Sequence, residues 1–211
     1  GLNARTINMT IRPFTLIGAT TRAGMLTGPL RDRFQMREHL DFYSDEELTQ
    51  IIKGNAKKLQ LEIDDESANI IAIRSRSTPR IANNRLRCVR DYVTARADGN
   101  IDPDITRAAL LKWEIDTLGL DKMDRKYLET LIDVFGGGPA GVEAIAHTIN
   151  TASDTLVDEV EPFLLRTAMV VRTPRGRIAT QRAFDHMGMA GEPVDIDVES
   201  ARDDQDTLFT E

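Results

Sequence analysis

Residues 14–34 read Phe14-Thr-Leu-Ile-Gly-Ala-Thr-Thr-Arg-Ala-Gly-Met-Leu-Thr-Gly-Pro-Leu-Arg-Asp-Arg-Phe34, and the fold class is decided on this stretch. Phe14 to Ile17, closed by Gly18, is the short apolar run expected of a central parallel strand covered on both faces, which predicts an α/β sheet. Thr20 and Thr21 then fall at the carboxyl end of that strand. Ligands of open α/β sheets bind there, and a hydroxyl can orient a phosphate or an attacking water. Pro29 suits the first turn of a short helix that projects Arg31 and Arg33, which with Asp32 carry too much charge for a core.

On the upstream side, Ile7, Met9 and Ile11 alternate with Thr6, Asn8 and Thr10, the period of a half-buried strand and the second arm of a hairpin. On the downstream side, Met36 to Phe42 is expected to add one more strand. Helices follow. Ser44 and Glu47 make a capping box that starts a helix to about Leu59, with Leu48, Ile51, Ile52 and Leu59 as its apolar stripe. Asp64 caps a second helix through Ala68, Ile71 and Ala72 that ends near Ser75. Thr78 and Pro79 open a third, which holds Arg80 in its first turn and runs on through Leu86, Val89 and Val93. Ile105 to Trp113 supplies a fourth, so residues 44–115 form a small helical bundle.

Beyond the polar connection Asp116–Lys122, helices are expected over Met123–Phe135, Gly141–Asn150 and Asp154–Leu165, with Pro162 bending or interrupting the last. Gly136-Gly137-Gly138-Pro139 is a turn and not a phosphate loop, because no Lys-Ser/Thr follows it and no apolar strand precedes it. Met169–Thr173 and Arg177–Thr180, joined by Pro174-Arg175-Gly176, form a β-hairpin, and three helices followed by a hairpin make a winged helix. Arg166, Arg172, Arg175, Arg177 and Arg182 lie in this region without one acidic residue between Arg166 and Arg182, a phosphate-contact footprint.

The phrases Gly18-Ala-Thr-Thr-Arg-Ala-Gly24 and Pro29-Leu-Arg-Asp-Arg-Phe34 resemble the sensor 1 and arginine-finger region of AAA+ ATPases, and within them the RuvB family of Holliday-junction branch-migration motors. Thr78-Pro-Arg-Ile-Ala-Asn83 is similar to that family's sensor 2 motif, and Arg172-Thr-Pro-Arg-Gly-Arg-Ile-Ala-Thr180 to its wing. The similarity extends over residues 4–188. It implies sensor 1 at Thr21 or its neighbour Thr20, and a finger at Arg33 that reaches a neighbouring subunit's nucleotide. It also implies sensor 2 at Arg80, with Thr78, Pro79 and Tyr43 beside it, and DNA contacts from the five wing arginines. A guanidinium against a γ-phosphate accelerates hydrolysis by ~10³ to 10⁵ in well-studied cases.

The family further implies ATP and magnesium as cofactors, DNA, RuvA and RuvC as partners, and a hexameric ring. Residues 1–43 then read as part of an α/β AAA+ core, 44–115 as an all-α lid and 116–188 as an α+β winged-helix domain. The chain departs from the family pattern at Ser77, usually glycine, at Asn84 and Arg85, usually arginine then leucine, and at Cys88, usually arginine.

Within the 211 residues there is no Gly-x₄-Gly-Lys-Ser/Thr loop and no apolar strand ending in Asp-Glu. The chain is therefore expected to be the later portion of a longer motor that does not hydrolyse ATP alone. Two other readings stay open: a non-enzymatic winged-helix regulator, and an inactive subunit that caps a ring. From Gly191 to Glu211, eight acidic residues against Arg202 account for the whole formal charge of −7, leaving residues 1–190 neutral. This acidic segment, 189–211, is expected to be disordered. A lone Cys88, three scattered histidines and no apolar run of membrane-spanning length point to a cytoplasmic protein without a metal site or membrane partner.

Overall fold

The computed structural model describes residues 12–20, 23–96 and 101–191. The expected strand at Ile7–Ile11, Thr21 and the acidic tail from Glu192 onward lie outside these residues. Two units are distinguished, residues 1–41 and 42–211.

The first unit carries a 3₁₀ turn, Ala23–Met25, and a one-turn helix α1, Gly28–Arg31, with Pro29 in its first positions as predicted. The two strands expected here do not form: 12–20 and 36–42 carry no regular secondary structure, and Phe14, Leu16, Ile17, Met36 and Leu40 are exposed. A central strand exists only where neighbours take up its N–H and C=O groups. Among the described residues no strand does so for either segment, and the apolar run is left uncovered.

The second unit holds two cores. In the first, α2 (Asp45–Lys58), α3 (Asp65–Ile73), α4 (Pro79–Arg96) and α5 (Pro103–Lys112) pack around Leu48, Ile52, Ala56, Ile71, Leu86, Val89 and Leu110. Two of the four starts carry their predicted caps, α5 begins at Pro103 behind a cap at Asp102 that the sequence reading did not name, and Thr78, expected to cap α4, instead turns its hydroxyl to Arg76 O. Ser44 and Glu47 form the capping box of α2, Asp64 accepts from the Ser67 N–H, and Asp102 accepts from Ile105. Leu59, assigned to the apolar stripe, lies past the end of α2 and is 37% exposed, while Ala56 takes the buried position.

Arg76 and Ser77, immediately before α4, are both left-handed at φ +53°. That conformation costs a non-glycine residue ~1 kcal/mol or more. Ser77→Gly is expected to raise the unfolding free energy by about 0.5–1 kcal/mol, the relief of strain offset in part by glycine's greater freedom when unfolded. A urea midpoint that stays put or falls would show that Ser77 is not strained.

The second core gathers α6 (Lys122–Glu129), α7 (Val142–Ile149), α8 (Ser153–Thr155), α9 (Glu161–Arg166), the hairpin β1 (Val170–Thr173) and β2 (Gly176–Ala179), and α10 (Gln181–Met187) around Tyr127, Leu128, Leu131, Ile145, Leu156, Leu164 and Phe184. Three sequence expectations are corrected here. The helix expected over Met123–Phe135 widens into a π-helical turn at Thr130–Val134. The one expected over Asp154–Leu165 runs unbroken from Ser153 to Arg166 but widens into a second π-helical turn, Leu156–Val160, ahead of Pro162, which occupies the first positions of α9 and forgoes an N–H there at little cost. Gly176 belongs to β2 and not to the turn, because Thr173 pairs with Gly176 and only Pro174 and Arg175 form the loop.

The hairpin is held from its other side by the glycine-rich turn: Ala140 exchanges both backbone bonds with Arg177 at 2.9 and 2.8 Å, and the Ala179 N–H donates to Gly137 O at 2.8 Å. A Cβ at Gly176 would come within 2.6 Å of Ala140 O, and one at Gly138 would meet Arg177 O, so the strand needs glycine at both contacts.

Candidate nucleic-acid interface and nucleotide-facing residues

In the first unit, Arg33 sits in the turn that follows α1, its N–H donating to Leu30 O at 3.2 Å, and it is exposed, as is Arg31. Arg37 folds back on the same turn, donating to Arg31 O at 3.3 Å and pairing with Asp32 at 3.7 Å. Asp32 thus has its own cation. Thr20 is exposed at the end of the irregular segment 12–20.

In the second unit, the chain brings Tyr43, Thr78, Pro79 and Arg80 into one neighbourhood. The Tyr43 N–H donates to Ser77 O at 3.3 Å, Thr78 Oγ1 donates to Arg76 O at 3.0 Å, and Arg80 is exposed in the first turn of α4. Arg76, which sequence reasoning passed over, is the hub of this region. Its side chain is 11% exposed; Nε donates to Gly119 O at 3.2 Å, Nη2 to Asp121 at 2.9 Å, and Nη2 also to Asp124, while the guanidinium lies over Phe163 at 4.8 Å. Arg85 donates to the same Gly119 O at 3.0 Å.

Burial pushes the Asp124 carboxyl up to about 7, against the opposing pull of Arg76. Burial likewise lowers Arg85 to about 10, with Arg76 adding to the fall. Arg85, one of the departures from the family pattern, is therefore a buried tie between α4 and the loop that leads into α6. On the opposite side of that loop, Asp116 accepts from the N–H groups of Leu118 and Leu120 at 2.9 Å and meets His186 of α10 at 2.8 Å.

The five wing arginines do not share one fate. Arg166 donates to Arg76 O at 2.7 Å and lies over Phe42 at 4.0 Å, which commits it to the joint between the two cores. Arg172 and Arg177, directly opposed across the hairpin, both reach Glu161, whose side chain is wholly buried. Arg177 donates to Glu161 at 2.8 and 3.2 Å, Arg172 at 2.9 Å through Nε and again through Nη2, and the Tyr127 hydroxyl at 3.0 Å.

Burial opposes Glu161's charge, yet the hydrogen bonds from Arg177 and Arg172 outweigh it and hold the carboxyl below its ordinary value. Burial, followed by the charge on Glu161, drives the Tyr127 hydroxyl up. Arg175 at the hairpin tip and Arg182 in the first turn of α10 are exposed. The arginine count of the wing missed Glu161 because that residue lies just outside the window, at the start of α9.

Comparison with known proteins places these features in a lineage. Residues 1–40 match the family model for the "Holliday junction DNA helicase RuvB P-loop domain", 43–116 the "RuvB AAA lid domain", and 117–188 the "RuvB C-terminal winged helix domain". The chain belongs to the RuvB family. It is similar to the Holliday junction branch migration complex subunit RuvB of Rhodopirellula baltica, 63% identical over 187 residues that make up 89% of this chain and 51% of that protein. The RuvB subunit of Mycobacterium avium is 51% identical over 189 residues, 90% of this chain and 54% of its own length. The chain thus spans about half the length of the curated relatives it matches.

Among solved structures, the Thermotoga maritima RuvB Holliday junction branch migration motor aligns with a TM-score of 0.78 at 46% identity, over 85% of this chain and 60% of that one. The architecture is that of a RuvB AAA+ core fragment, lid and winged helix. The RuvB family match also tests the fit of a nucleotide. Arg33 and Arg80 are exposed guanidiniums of the chemistry that meets phosphate oxygens, but the 211 residues hold no phosphate-cradling loop and no strand-end carboxylate pair for magnesium. Among the described residues no group of His, Cys, Asp or Glu could hold a metal ion, and no helix is long and apolar enough to cross a membrane.

Proposed function

We propose that this chain supplies the trans-acting arginine, the lid and the DNA-gripping domain of a RuvB-type motor, in which ATP hydrolysis by a ring drives branch migration at Holliday junctions. One observation carries the reading: Arg33, Arg80 and Arg175, one in each of the three family-matched segments, are all exposed. Unlike Arg166, Arg172 and Arg177, which are tied to Arg76 O or to Glu161, these three make no side-chain hydrogen bond or ion pair among the described residues and are available to phosphate. Arg33 acts as the finger on a neighbour's nucleotide, Arg80 reports nucleotide state to the lid from beside Tyr43, Thr78 and Pro79, and Thr20 or Thr21 orients the attacking water. The exposed tip of the wing grips DNA phosphates. ATP and magnesium are held by a phosphate loop and carboxylates of the RuvB type, which are not among these residues, so the phosphoryl step is completed outside this chain. Hexameric assembly, cytoplasmic location and docking of RuvA and RuvC follow from the same reading.

The test is binding of the chain to fluorescent duplexes of unrelated sequence across a salt series. A motor that reads only phosphates binds them all within about twofold and loses affinity steeply with salt. A preference of ~10³ or more for one sequence would point to an operator-binding regulator instead.

A further inference from the structure

The wing carries a buried negative charge for which branch migration and DNA binding have no evident need. Glu161 receives hydrogen bonds from two arginines and a tyrosine, which fills the four or so lone-pair sites of a carboxylate. Its partners Arg172 and Arg177 occupy facing positions on β1 and β2, so their guanidiniums are clamped across the hairpin and turned back toward α9. Arg177 is 19% exposed and Arg172 45%. Arg175, two residues from each, is exposed at the tip. A mere scaffold could have used apolar residues at this contact, since replacing a buried ion pair by packed hydrophobic groups is often neutral or stabilising.

We propose that Glu161 is the counter-charge of the wing: by holding Arg172 and Arg177 it limits the number of phosphates the hairpin engages, leaving Arg175 as the principal contact. This rests on the proposal that the wing meets DNA phosphates. The consequence suits a motor. Each phosphate neutralised adds about tenfold to duplex affinity near 50 mM salt, because log K changes with log salt by ~0.9 per contact. A hairpin with three free arginines would hold DNA about a hundredfold more tightly than one with a single free arginine. A subunit that must release DNA on every step is better served by the weaker grip, and Glu161 keeps the two arginines as a rigid base for the tip instead of as further anchors.

The experiment is duplex binding by this chain over a salt series, comparing wild type with Glu161→Gln, Arg172→Gln and Arg175→Gln. Glu161→Gln frees both arginines and is expected to bind about ten- to a hundredfold more tightly at ~50 mM salt, with a slope steeper by ~0.9 to 1.8. Weaker binding at unchanged slope would mean that the carboxylate only supports the fold, and would overturn the proposal.

Arg172→Gln keeps the assignment testable even if Glu161→Gln does not fold. Arg175→Gln should lower the slope by ~0.9, and Arg172→Gln by less than half of that. Equal losses from the two would overturn the proposal, because Arg172 would then be as free as Arg175. If Arg175→Gln binds as wild type does, the wing is not the DNA surface and the functional reading fails first, taking this inference with it.

Discussion

Arg33→Ala is expected to lower the ATPase rate of rings formed by this chain joined to the phosphate-loop half of a RuvB relative by at least ~10³, while nucleotide affinity changes little. The expectation comes from where charge develops. An arginine finger acts on the transition state and contributes little to ground-state binding, so its loss falls on the rate. Arg33 meets the geometric demand because it follows a one-turn helix begun by Pro29 and is exposed, and because Asp32 beside it pairs with Arg37.

Arg33→Lys should recover little, since a lysine offers a point charge where a planar fork is required. The decisive arm mixes subunits. If the finger works in trans, Arg33→Ala subunits lower the turnover of intact neighbours in proportion to their share of the ring. Full activity in Arg33→Ala rings would remove the finger assignment.

The second large effect is on stability. Arg76→Ala removes a guanidinium that is 11% exposed and leaves Asp124, 1% exposed, without its cation. Above pH 7 the cost is expected to be ~3–5 kcal/mol, the range for breaking a buried pair from one side. The cost depends on pH, and the sign follows from Asp124. Its carboxyl rises from an ordinary 3.8 to about 7 in the folded chain, chiefly through burial.

Between pH ~4 and ~7 the folded state therefore keeps a proton that the unfolded chain has released, and the contribution of this group to stability falls as pH rises through that window. In the wild type, Arg76 limits that fall by pairing with the carboxylate. Without Arg76 the carboxylate has no such partner. The penalty of Arg76→Ala should accordingly be smallest near pH 5, ~1–2 kcal/mol for the lost hydrogen bonds, and largest near pH 8. Urea titrations of both proteins at the two pH values check this. A penalty independent of pH would show that Asp124 is ionised throughout.

Much of the helical part was legible because its signals are local. Ser44 with Glu47, Asp64, and Pro79 behind Thr78 each name a helix start without help from the rest of the chain. The hairpin was legible from Pro174-Arg175 between two short β-prone runs, although strand register, and so the place of Gly176, is fixed by pairing that no single strand encodes. The strands at 14–17 and 36–42 failed for the opposite reason. Their apolar pattern states what a sheet would bury, not whether partner strands are present.

The site divides along the same line. Exposed Arg33, Arg80 and Arg175 could be named from motifs, whereas the binding of Arg172 and Arg177 by Glu161 comes from packing of the hairpin on α9, and that of Arg166 by Arg76 and Phe42 from segments far apart in sequence. Charge counted along a chain treats every arginine as free. The folded chain had already committed three of the five. The helix that ends the winged domain, Gln181–Met187, went unnamed because it is short and its cap residue Thr180 spends its hydroxyl on Ala168 O and Met169 O.

The bond from Arg166 to Arg76 O, together with the reach of Arg76 to Asp121 and Asp124, fastens the segment just ahead of α4 to the body that carries the hairpin. Lid and winged helix are thereby pinned at a second place besides the connecting chain, so neither can pivot at this seam without giving up the Arg166 bond or the Arg76 pairs.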